Sequence, residues 1–265
     1  MELAGKAAIV TGSGGEGSGR AEARLLAAEG CHVVVSDINE SGGRETQRLI
    51  ASAGGRAEFF RCDVSVQDEV ARLVAFAEEK CGGLDILVSN ASGPGYRPGA
   101  AIENSYDTLR IDLFGALYGI HFGVAAMKRR GGGAIVNVSS TSALCHGSAH
   151  SKMPAYDIAK VGVLRLATTH AHLREIDKIR VNCLVPDWLA TPEVKSYWDA
   201  LTPEQRQNPG IPPVLTTLDE VAHAVVALIR DESLAGRALV IWSGQPPGLI
   251  AAEDRGYVAL EPYSI

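Results

Sequence analysis

Short runs of apolar, often β-branched residues alternate with longer amphipathic stretches along this chain. Within the short runs the apolar residues are nearly continuous, which is typical of strands that are buried on both faces of a parallel sheet. Seven runs predict strands, at Ala7–Thr11, Val33–Ser36, Phe59–Cys62, Ile86–Ser89, Ala134–Val138, Ile179–Leu184 and Ala238–Trp242.

The stretches between these runs have the apolar spacing of helices. The sequence Thr217-Leu-Asp-Glu220 is a capping box, in which the first and fourth residues satisfy each other's backbone N–H groups, and it predicts where one helix begins. Strands that alternate with helices indicate βαβ units, so we expect an α/β fold with a doubly wound parallel sheet, helices on both faces and one domain over residues 1–265. The predicted helices include Gly19–Glu29, Val66–Lys80, Tyr106–Arg129, Pro154–Ile176 and Leu218–Arg230.

Two segments interrupt this alternation. Residues 191–217 hold five prolines and are too long for a simple connection, which favours a lid or substrate loop. Residues 244–265 are punctuated by proline and glycine, and we expect this tail to pack across the surface or against a neighbouring subunit.

Composition narrows the class of protein. The formal net charge of −6 argues against nucleic-acid binding, which needs a basic face. No apolar run approaches the roughly 18 residues of a membrane span, and the first residues do not resemble an export signal. The five cysteines are scattered, which predicts free thiols in the cytoplasm. His146 and His150 lie near Cys145, but nothing is spaced to complete a metal site, so we predict none.

Glycines cluster where the first strand meets a helix, in Thr11-Gly-Ser-Gly-Gly-Glu-Gly-Ser-Gly19. Such a loop lets the backbone approach a pyrophosphate, which the helix N-terminus then attracts; a flexible turn is the alternative. Asp37 follows the second strand, eighteen residues beyond Gly19. A carboxylate there can accept both ribose hydroxyls of an adenosine and repel a 2′-phosphate, which favours NAD over NADP, unless Asp37 is only a solvated turn residue.

Tyr156 and Lys160 are four residues apart, which places a phenol and an ammonium on one helical face. A phenol has an ordinary pKa of about 10, and a neighbouring cation favours its ionised form. Such a tyrosine can exchange a proton with an alcohol oxygen while hydride moves to a cofactor. Ser139 and Ser140 end the fifth strand, where a hydroxyl can hold the substrate oxygen or simply make a turn.

With these pieces in order, the chain resembles the short-chain dehydrogenase/reductase family over nearly its whole length. The matching segments are Thr11–Gly19, Asp37, Cys62-Asp-Val64, Leu84-Asp-Ile-Leu-Val-Ser-Asn-Ala91, Ile135-Val-Asn-Val-Ser-Ser140, Tyr156-x3-Lys160, and Val181-Asn-Cys-Leu-Val-Pro186 followed by Thr191-Pro192. The ending Leu-Ala-Gly-Arg-Ala-Leu-Val-Ile-Trp-Ser243 is loosely similar to the subset that includes 15-hydroxyprostaglandin dehydrogenase.

The resemblance implies a seven-stranded Rossmann-type sheet, NAD as cofactor and a homotetramer formed through the helices Tyr106–Arg129 and Pro154–Ile176. It implies that Tyr156 is the acid/base, that Lys160 supports it and that Ser140 orients the substrate oxygen. The cofactor-binding residues that it implies are Gly12, Ser13, Gly17, Ser18, Gly19, Asp37, Ile38, Cys62, Asp63, Val64, Asn90, Ala91, Tyr156, Lys160, Pro186, Trp188, Leu189 and Thr191.

The chain departs from the family pattern in several places. The phosphate loop has four residues between Gly12 and Gly17 where the family usually has three, and the usual Asn-Asn-Ala-Gly is Ser89-Asn-Ala-Ser92. The spacing from Ser140 to Tyr156 is three residues longer than usual, so Ser142 is a second candidate for the substrate hydrogen bond. The usual Pro-Gly after the sixth strand is Pro186-Asp187.

The family's active-site asparagine, which helps hold a relay water, is Asp112 here. Its charge favours the charged form of Lys160 but opposes a Tyr156 phenolate, and the sequence does not decide between these effects. Our hypothesis is that Asp112 leaves the enzyme active but moves the alkaline limb of its pH–rate profile upward. The alternative is that Asp112 only caps or pairs elsewhere.

We therefore expect a cytoplasmic NAD-dependent enzyme that interconverts a secondary alcohol and a ketone. The alternative is a dinucleotide-binding sensor or scaffold with little catalysis, which the lengthened phosphate loop and Asp112 favour. The sequence does not identify the substrate. Its contacts would come from Tyr96, the expanded loop before Tyr156, Trp188 and residues 191–217, and none of these has a pattern that is specific for one substrate.

Overall fold

The structure, a computed structural model, describes residues 1–93, 102–144 and 153–252. Eight strands form one sheet in the order β3-β2-β1-β4-β5-β6-β7-β8. They are β1 (Ala7–Thr11), β2 (His32–Asp37), β3 (Arg56–Arg61), β4 (Ile86–Ser89), β5 (Gly133–Val138), β6 (Ile179–Pro186), β7 (Ala238–Ile241) and β8 (Gly248–Leu249).

The first seven strands are parallel, as the continuous apolar runs predicted. The predicted bounds of β1 and β4 match, and the other five differ at one or both ends. The prediction of seven strands misses β8, which pairs antiparallel with β7. This strand is two exposed residues long, so it leaves no hydrophobic pattern in the sequence. It lies in the segment that we expected to be an irregular tail.

Helices cover both faces of the sheet, as expected for a doubly wound fold. They are α1 (Ser18–Ala28), α2 (Glu40–Ser52), α3 (Gln67–Cys81), α4 (Ile102–Leu109), α5 (Gly115–Arg130), α6 (Pro154–Thr169), α7 (Leu173–Asp177), α8 (Pro192–Asp199) and α9 (Leu218–Arg230). The capping box at Thr217 and Glu220 is confirmed at the start of α9. Helix α2 was not predicted, because Gly42 and Gly43 weaken its helical signal, although Asn39 caps its first turn.

Two predicted helices are interrupted. The predicted helix Tyr106–Arg129 begins earlier, at Ile102, and contains a π-helical turn over Arg110–Phe114 that separates α4 from α5. The predicted helix Pro154–Ile176 is divided into α6 and α7. At that break the Thr168 and Thr169 hydroxyls donate to the carbonyl of Arg165, and such side-chain bonds compete with the regular helical ones.

The expected absence of a long apolar segment needs correction. The continuous helical stretch Ile102–Arg130 spans 29 residues and has a mean hydropathy of 1.2 in its most apolar window, which satisfies the length and composition of a membrane-crossing helix. Part of that window, 39%, is buried within the fold, where Ile120, Ala126 and Met127 pack in the core. A core helix satisfies the same test, so the criterion is weak support for a membrane span.

Residues 191–217 are more ordered than a lid loop would be. They contain α8 and a short 3₁₀ turn at Gln205–Gln207. The Trp198 indole donates to the carbonyl of Pro212 at 3.1 Å, and the Arg206 guanidinium lies 3.7 Å from the centre of the Trp198 ring. This segment is therefore folded around Trp198.

Several sequence predictions fall on residues outside the described ranges. They concern Tyr96, most of the expanded loop that holds Cys145, His146 and His150, and the end of the tail beyond residue 252.

The core has one apolar layer on each face of the sheet. The α3, α5 and α6 face includes Leu73, Ile120 and Val163, and the other face includes Leu26 of α1 and Val225 of α9. Glu22 is an exception in the second layer. It lies on the inner face of α1, is completely buried, and neither carboxyl oxygen has a hydrogen-bond partner within the described residues. Burial raises the pKa of Glu22 from 4.5 to about 8.

We predict that Glu22→Gln stabilises the protein more at pH 8 than at pH 5. Below pH 4.5 the carboxyl is protonated in both the folded and the unfolded state, whereas between pH 4.5 and about 8 only the unfolded state loses the proton. The free energy of unfolding of the native protein therefore falls across that interval. Glutamine does not ionise, so the free energy of unfolding of the variant does not fall for this reason. Urea unfolding at both pH values measures the difference. Glu79→Gln, on an exposed side chain of α3, is the control, and equal gains at pH 5 and pH 8 would contradict the prediction.

Candidate active site

The glycine loop lies at the carboxyl end of β1 and packs closely against the segment after β4. Gly12 has a φ of +67°, which L side chains rarely adopt, and a Cβ at this position would lie 2.6 Å from the Ala91 Cα. The Asn90 amide donates to the carbonyls of Thr11 and Gly12 at 3.1 and 3.2 Å, and the Ser18 hydroxyl donates to Asn90 at 2.7 Å. Gly12, Ser18 and Asn90, which were predicted separately, therefore meet in one cradle.

Helix α1 begins directly beyond this cradle. Its N-cap is Gly17, which has no side chain to satisfy the N–H groups of the first turn, and that turn contains no acidic residue. N–H groups without a side-chain cap and the helix dipole both favour an anion at this position. The open helix end and the space that the glycines leave fit the pyrophosphate of a dinucleotide.

Asp37 ends β2 beside this loop. One carboxylate oxygen accepts from the Gly14 N–H at 2.7 Å, and the other accepts from the Asn39 N–H at 2.8 Å. Each carboxylate oxygen has more than one lone pair, so these bonds leave room for a ligand hydroxyl. The phosphate loop thus contacts the predicted ribose-binding carboxylate through the Gly14 N–H.

The other residues predicted to hold the cofactor differ in what they expose. Ser13 is fully buried; its hydroxyl donates to the carbonyl of Val10 and its backbone N–H donates to the carbonyl of Ser36, so it supports the loop from beneath. Cys62 and Val64 are buried, whereas Ile38 is 55% exposed. The Asp63 carboxylate accepts from both the N–H and the hydroxyl of Ser65.

A buried ion pair lies under the carboxyl edge of β4 and β5. Lys160 Nζ is 3.1 Å from a carboxylate oxygen of Asp112, and both side chains are almost completely buried. The carboxylate also accepts from the Ser92 hydroxyl at 2.6 Å and from the Gly93 N–H at 2.7 Å. Lys160 Nζ donates in addition to the carbonyl of Val138 at 3.3 Å. Asp112 therefore pairs with Lys160, which the sequence analysis gave as one of two alternatives. Its position in the π-helical turn places it beside Lys160.

The charge state of Lys160 follows from its neighbours. Burial by itself lowers the pKa of a lysine, but the nearby Asp112 carboxylate, then Tyr156, and more weakly Cys183, together hold the pKa of Lys160 above its ordinary value. The side chain is thus a cation at neutral pH inside a nearly dry environment.

Tyr156 lies one turn before Lys160 on α6, and its ring centre is 5.2 Å from Lys160 Nζ. The Ser139 hydroxyl donates to the carbonyl of Lys160 at 2.7 Å, which attaches α6 to the end of β5. Ser140 is the N-cap of a short 3₁₀ turn, where its hydroxyl oxygen accepts from the Ser142 N–H. The structure therefore brings Tyr156, Lys160 and Asp112 together beside the turn that holds Ser140.

The end of β6 approaches the same edge. Pro186 is the last residue of β6, and Trp188 faces Tyr197 of α8 with ring centres 6.1 Å apart. Leu189 pairs with Thr216 in an isolated bridge. The Thr191 hydroxyl accepts from the Val194 N–H and so serves as the N-cap of α8.

The sequence did not reveal several residues that shape this edge. Asp187, noted there only as a departure from the family pattern, accepts from the Thr141 hydroxyl and from the Ser243 N–H, both at 3.2 Å. It therefore connects the ends of β5, β6 and β7. An acid directly after a parallel strand, which is the signal that singled out Asp37, could have drawn attention to it. The contact of Ser92 with Asp112 has no such signal, because the two residues are far apart in the sequence.

These features define a nucleotide-binding α/β oxidoreductase, with a phosphate loop and a tyrosine–lysine pair at one edge of a parallel sheet. A family model described as enoyl-(acyl carrier protein) reductase matches residues 14–242. The sex determination protein tasselseed-2 of Zea mays is 37% identical over 74% of this chain, although the match covers 59% of that protein. The cis-4-hydroxycyclohexanecarboxylate dehydrogenase of Sinomonas cyclohexanicum is 36% identical over 97% of this chain and 98% of that enzyme.

A solved structure of 7α-hydroxysteroid dehydrogenase with NADH and 7-oxo glycochenodeoxycholic acid superposes with a TM-score of 0.82. It is 29% identical and covers 92% of this chain and 95% of its own. The chain belongs to the short-chain dehydrogenase/reductase family. The family prediction is thus confirmed, and the NADH in that structure supports the prediction of NAD as cofactor.

Proposed function

We propose that this protein uses NAD to interconvert a secondary alcohol and a ketone, with a proton relay through Tyr156, Lys160 and Ser140. The observation that carries the proposal is the buried cation of Lys160 beside the Tyr156 ring. A cation at this distance favours a phenolate, which can take a proton from an alcohol. A scaffold that only bound a dinucleotide would not need such a group.

Residues of the cradle and of the neighbouring strand ends would hold the cofactor. Gly12, Gly17 and Gly19 with the start of α1 would meet its pyrophosphate, and Asp37 would accept from the adenosine ribose. The rest of the cofactor would lie along the strand ends that hold Asp63, Asn90 and Trp188. When bound there, NAD would supply the hydride acceptor for the alcohol carbon, and NADH the hydride donor for the ketone.

The chain's own residues manage the proton and the substrate oxygen. In the oxidative direction Tyr156 takes the hydroxyl proton, and the Ser140 hydroxyl donates to the substrate oxygen and holds it in place. Lys160 stabilises the phenolate and passes the proton on to water near Asp112, whose carboxylate keeps the ammonium protonated. Ser142 is the second candidate for the contact with the substrate oxygen.

We propose a ring-bearing secondary alcohol as the substrate class. Two of the relatives named above support this class: one is a dehydrogenase of a hydroxycyclohexane acid, and the other holds a 7-oxo bile acid in its solved structure. In this chain the Trp188 and Tyr197 rings form an aromatic pair where residues 191–217 begin to cover the sheet edge. Flat apolar walls of this kind suit an alicyclic ring. Residues 191–217 would then contribute a folded wall of the substrate site, rather than a lid loop, through α8.

We expect the protein to oxidise cyclohexanol, a 4-hydroxycyclohexanecarboxylate or a 7α-hydroxylated bile acid with NAD⁺ in preference to NADP⁺. Tyr156→Phe should lower kcat by about 10²- to 10⁴-fold, which is the usual contribution of a general acid/base. The same variant should change the Kd for NADH less than about fivefold, since it loses one hydrogen bond. Absorbance at the NADH band and NADH fluorescence measure the two quantities. NADH binding without turnover on any of the three alcohols, unaltered by Tyr156→Phe, would favour the scaffold.

Asp112→Asn should move the alkaline limb of the pH–rate profile to lower pH. Ser92 and Gly93 donate to different oxygens of the native carboxylate, so the amide keeps an acceptor for only one of them, and the negative charge that keeps the pKa of Lys160 raised is lost. Lys160 then loses its proton at a lower pH, and its support of the phenolate ends earlier. The measurement is kcat/KM from pH 6 to pH 10 in both proteins. Superimposable profiles would show that the Asp112 charge does not act on the relay.

We also propose a cytoplasmic homotetramer. The helices predicted to pair with copies of themselves leave large apolar side chains exposed, namely Tyr106, Phe114, Leu117, Ile158 and Val161. These side chains lie on α4, the π-helical turn, α5 and α6. A face of this kind on a monomer is a candidate interface. The free thiols of Cys31, Cys62, Cys81 and Cys183 are consistent with a reducing compartment.

We expect the native protein to sediment as a tetramer and Ile158→Glu to dissociate it, because the charge would be buried at the contact between copies. The control is Ile176→Glu, on an apolar side chain of α7 that is 68% exposed and lies outside this face. Sedimentation velocity measures both. A native monomer, or a variant that stays tetrameric, would contradict the proposed face.

A further inference from the structure

Arg20 lies under the phosphate loop, with its side chain only 16% exposed. Its Nε donates to the Thr46 hydroxyl at 2.9 Å, and its Nη2 donates to the carbonyl of Gly14 at 2.8 Å. A weaker contact reaches the carbonyl of Gly42 at 3.4 Å. One guanidinium thus joins the first turn of α1, the loop after β1 and the first turns of α2.

Gly14 transmits this contact to Asp37. The Gly14 carbonyl accepts from Arg20, and its N–H donates to the Asp37 carboxylate at 2.7 Å. The fit is close on both sides, because a Cβ at Gly14 would lie 2.8 Å from the Asp37 Cβ, and a Cβ at Gly42 would overlap the Gly14 carbonyl oxygen. The peptide of Gly14 therefore has little freedom to turn while Arg20 stays in place.

Thr46 holds the neighbouring peptide. Its hydroxyl, which is fully buried, accepts from Arg20 and donates to the carbonyl of Ser13 at 2.8 Å. Two consecutive carbonyls of the phosphate loop, those of Ser13 and Gly14, are thereby attached to α1 and α2. These contacts brace the stretch of loop that contains one residue more than the usual spacing.

We propose that Arg20 is a positioning residue that acts through Gly14 to hold the Asp37 carboxylate in the orientation that selects NADH over NADPH. This inference rests on the proposed function, in which Asp37 accepts from the adenosine ribose. A carboxylate with a fixed orientation accepts from both ribose hydroxyls and repels a 2′-phosphate. If the carboxylate can rotate away, both the hydrogen bonds and the repulsion weaken.

A cation near the ribose could instead bind a 2′-phosphate directly and favour NADPH. The geometry argues against that role for Arg20, because its Nε and Nη2 already donate to Thr46, Gly14 and Gly42, and its Nη1 faces the Glu16 carboxylate at 3.9 Å, whose negative charge would repel a phosphate. The two roles predict opposite changes in selectivity when Arg20 is replaced, so they can be separated by experiment.

The test uses Arg20→Met, Arg20→Lys and the control Arg24→Met in the full-length protein. Methionine keeps the length of the side chain without donors, and lysine keeps the charge without the fork that reaches two acceptors. Arg24 lies one turn further along α1 on an exposed position. The Kd for NADH is measured by fluorescence and the Kd for NADPH by displacement of NADH, both far below the unfolding temperature of each variant.

We expect Arg20→Met to raise the Kd for NADH about tenfold, which corresponds to the loss of one or two hydrogen bonds. The Kd for NADPH should change less than about threefold, since the repulsion by Asp37 weakens at the same time. The ratio of the two constants therefore moves toward NADPH. Arg20→Lys should fall closer to Arg20→Met than to the native protein, and Arg24→Met should match the native protein.

Three results would overturn the inference. Equal weakening of both cofactors would mean that Arg20 only stabilises the loop, and a selective loss of NADPH would mean that it binds the phosphate. Full recovery by Arg20→Lys would mean that charge, and not the fork, matters. If Arg20→Met does not fold, Thr46→Val removes the hydroxyl at the other end of the brace and should shift the ratio in the same direction. A native protein that binds neither cofactor would instead contradict the proposed function.

Discussion

A lysine in a dry interior stays charged only when an anion lies within a few ångströms, because the cost of removing an ammonium from water is otherwise too large. The pair formed by Lys160 and Asp112 satisfies this condition at 3.1 Å. Asp112 comes from the π-helical turn between α4 and α5, and Lys160 comes from α6. The Asp112 carboxylate also accepts from Ser92 and Gly93 in the segment after β4. Lys160 donates to the carbonyl of Val138 at the end of β5. Four elements are thus joined at one buried charge pair.

This pair also determines what the neighbouring tyrosine can do. An isolated phenol at neutral pH has little tendency to take a proton, whereas a phenol beside a permanent cation can. Where the family usually has a neutral asparagine, this chain has an anion that keeps the cation charged. The tyrosine thus has a positive charge beside its ring, and that charge is paired with a negative one at 3.1 Å.

At the opposite end of the candidate site another carboxylate is held by nearby donors, and here the donors are backbone N–H groups. Asp37 receives two N–H groups, one from the phosphate loop and one from the start of α2. Arg20 and Thr46 hold the loop peptides that deliver the first of them. Because parallel strands end at the same edge of the sheet, both ends of the site lie along one line, from β2 through β1, β4 and β5 to β6. Asp187 continues that line to β7.

By itself the sequence determined the features that depend on local spacing. The seven parallel strands, the glycine loop before α1, the acid after β2 and the four-residue step from Tyr156 to Lys160 follow from periodicity and from neighbouring residues along the chain. Only the tertiary structure decided the position of Asp112 in its π-helical turn, the contacts of Arg20 with the loop and the bridge that Asp187 makes. Each of these joins elements that are distant in the sequence, and a π-helical turn has no periodic signature, so only the packed fold brings the charged groups to their partners.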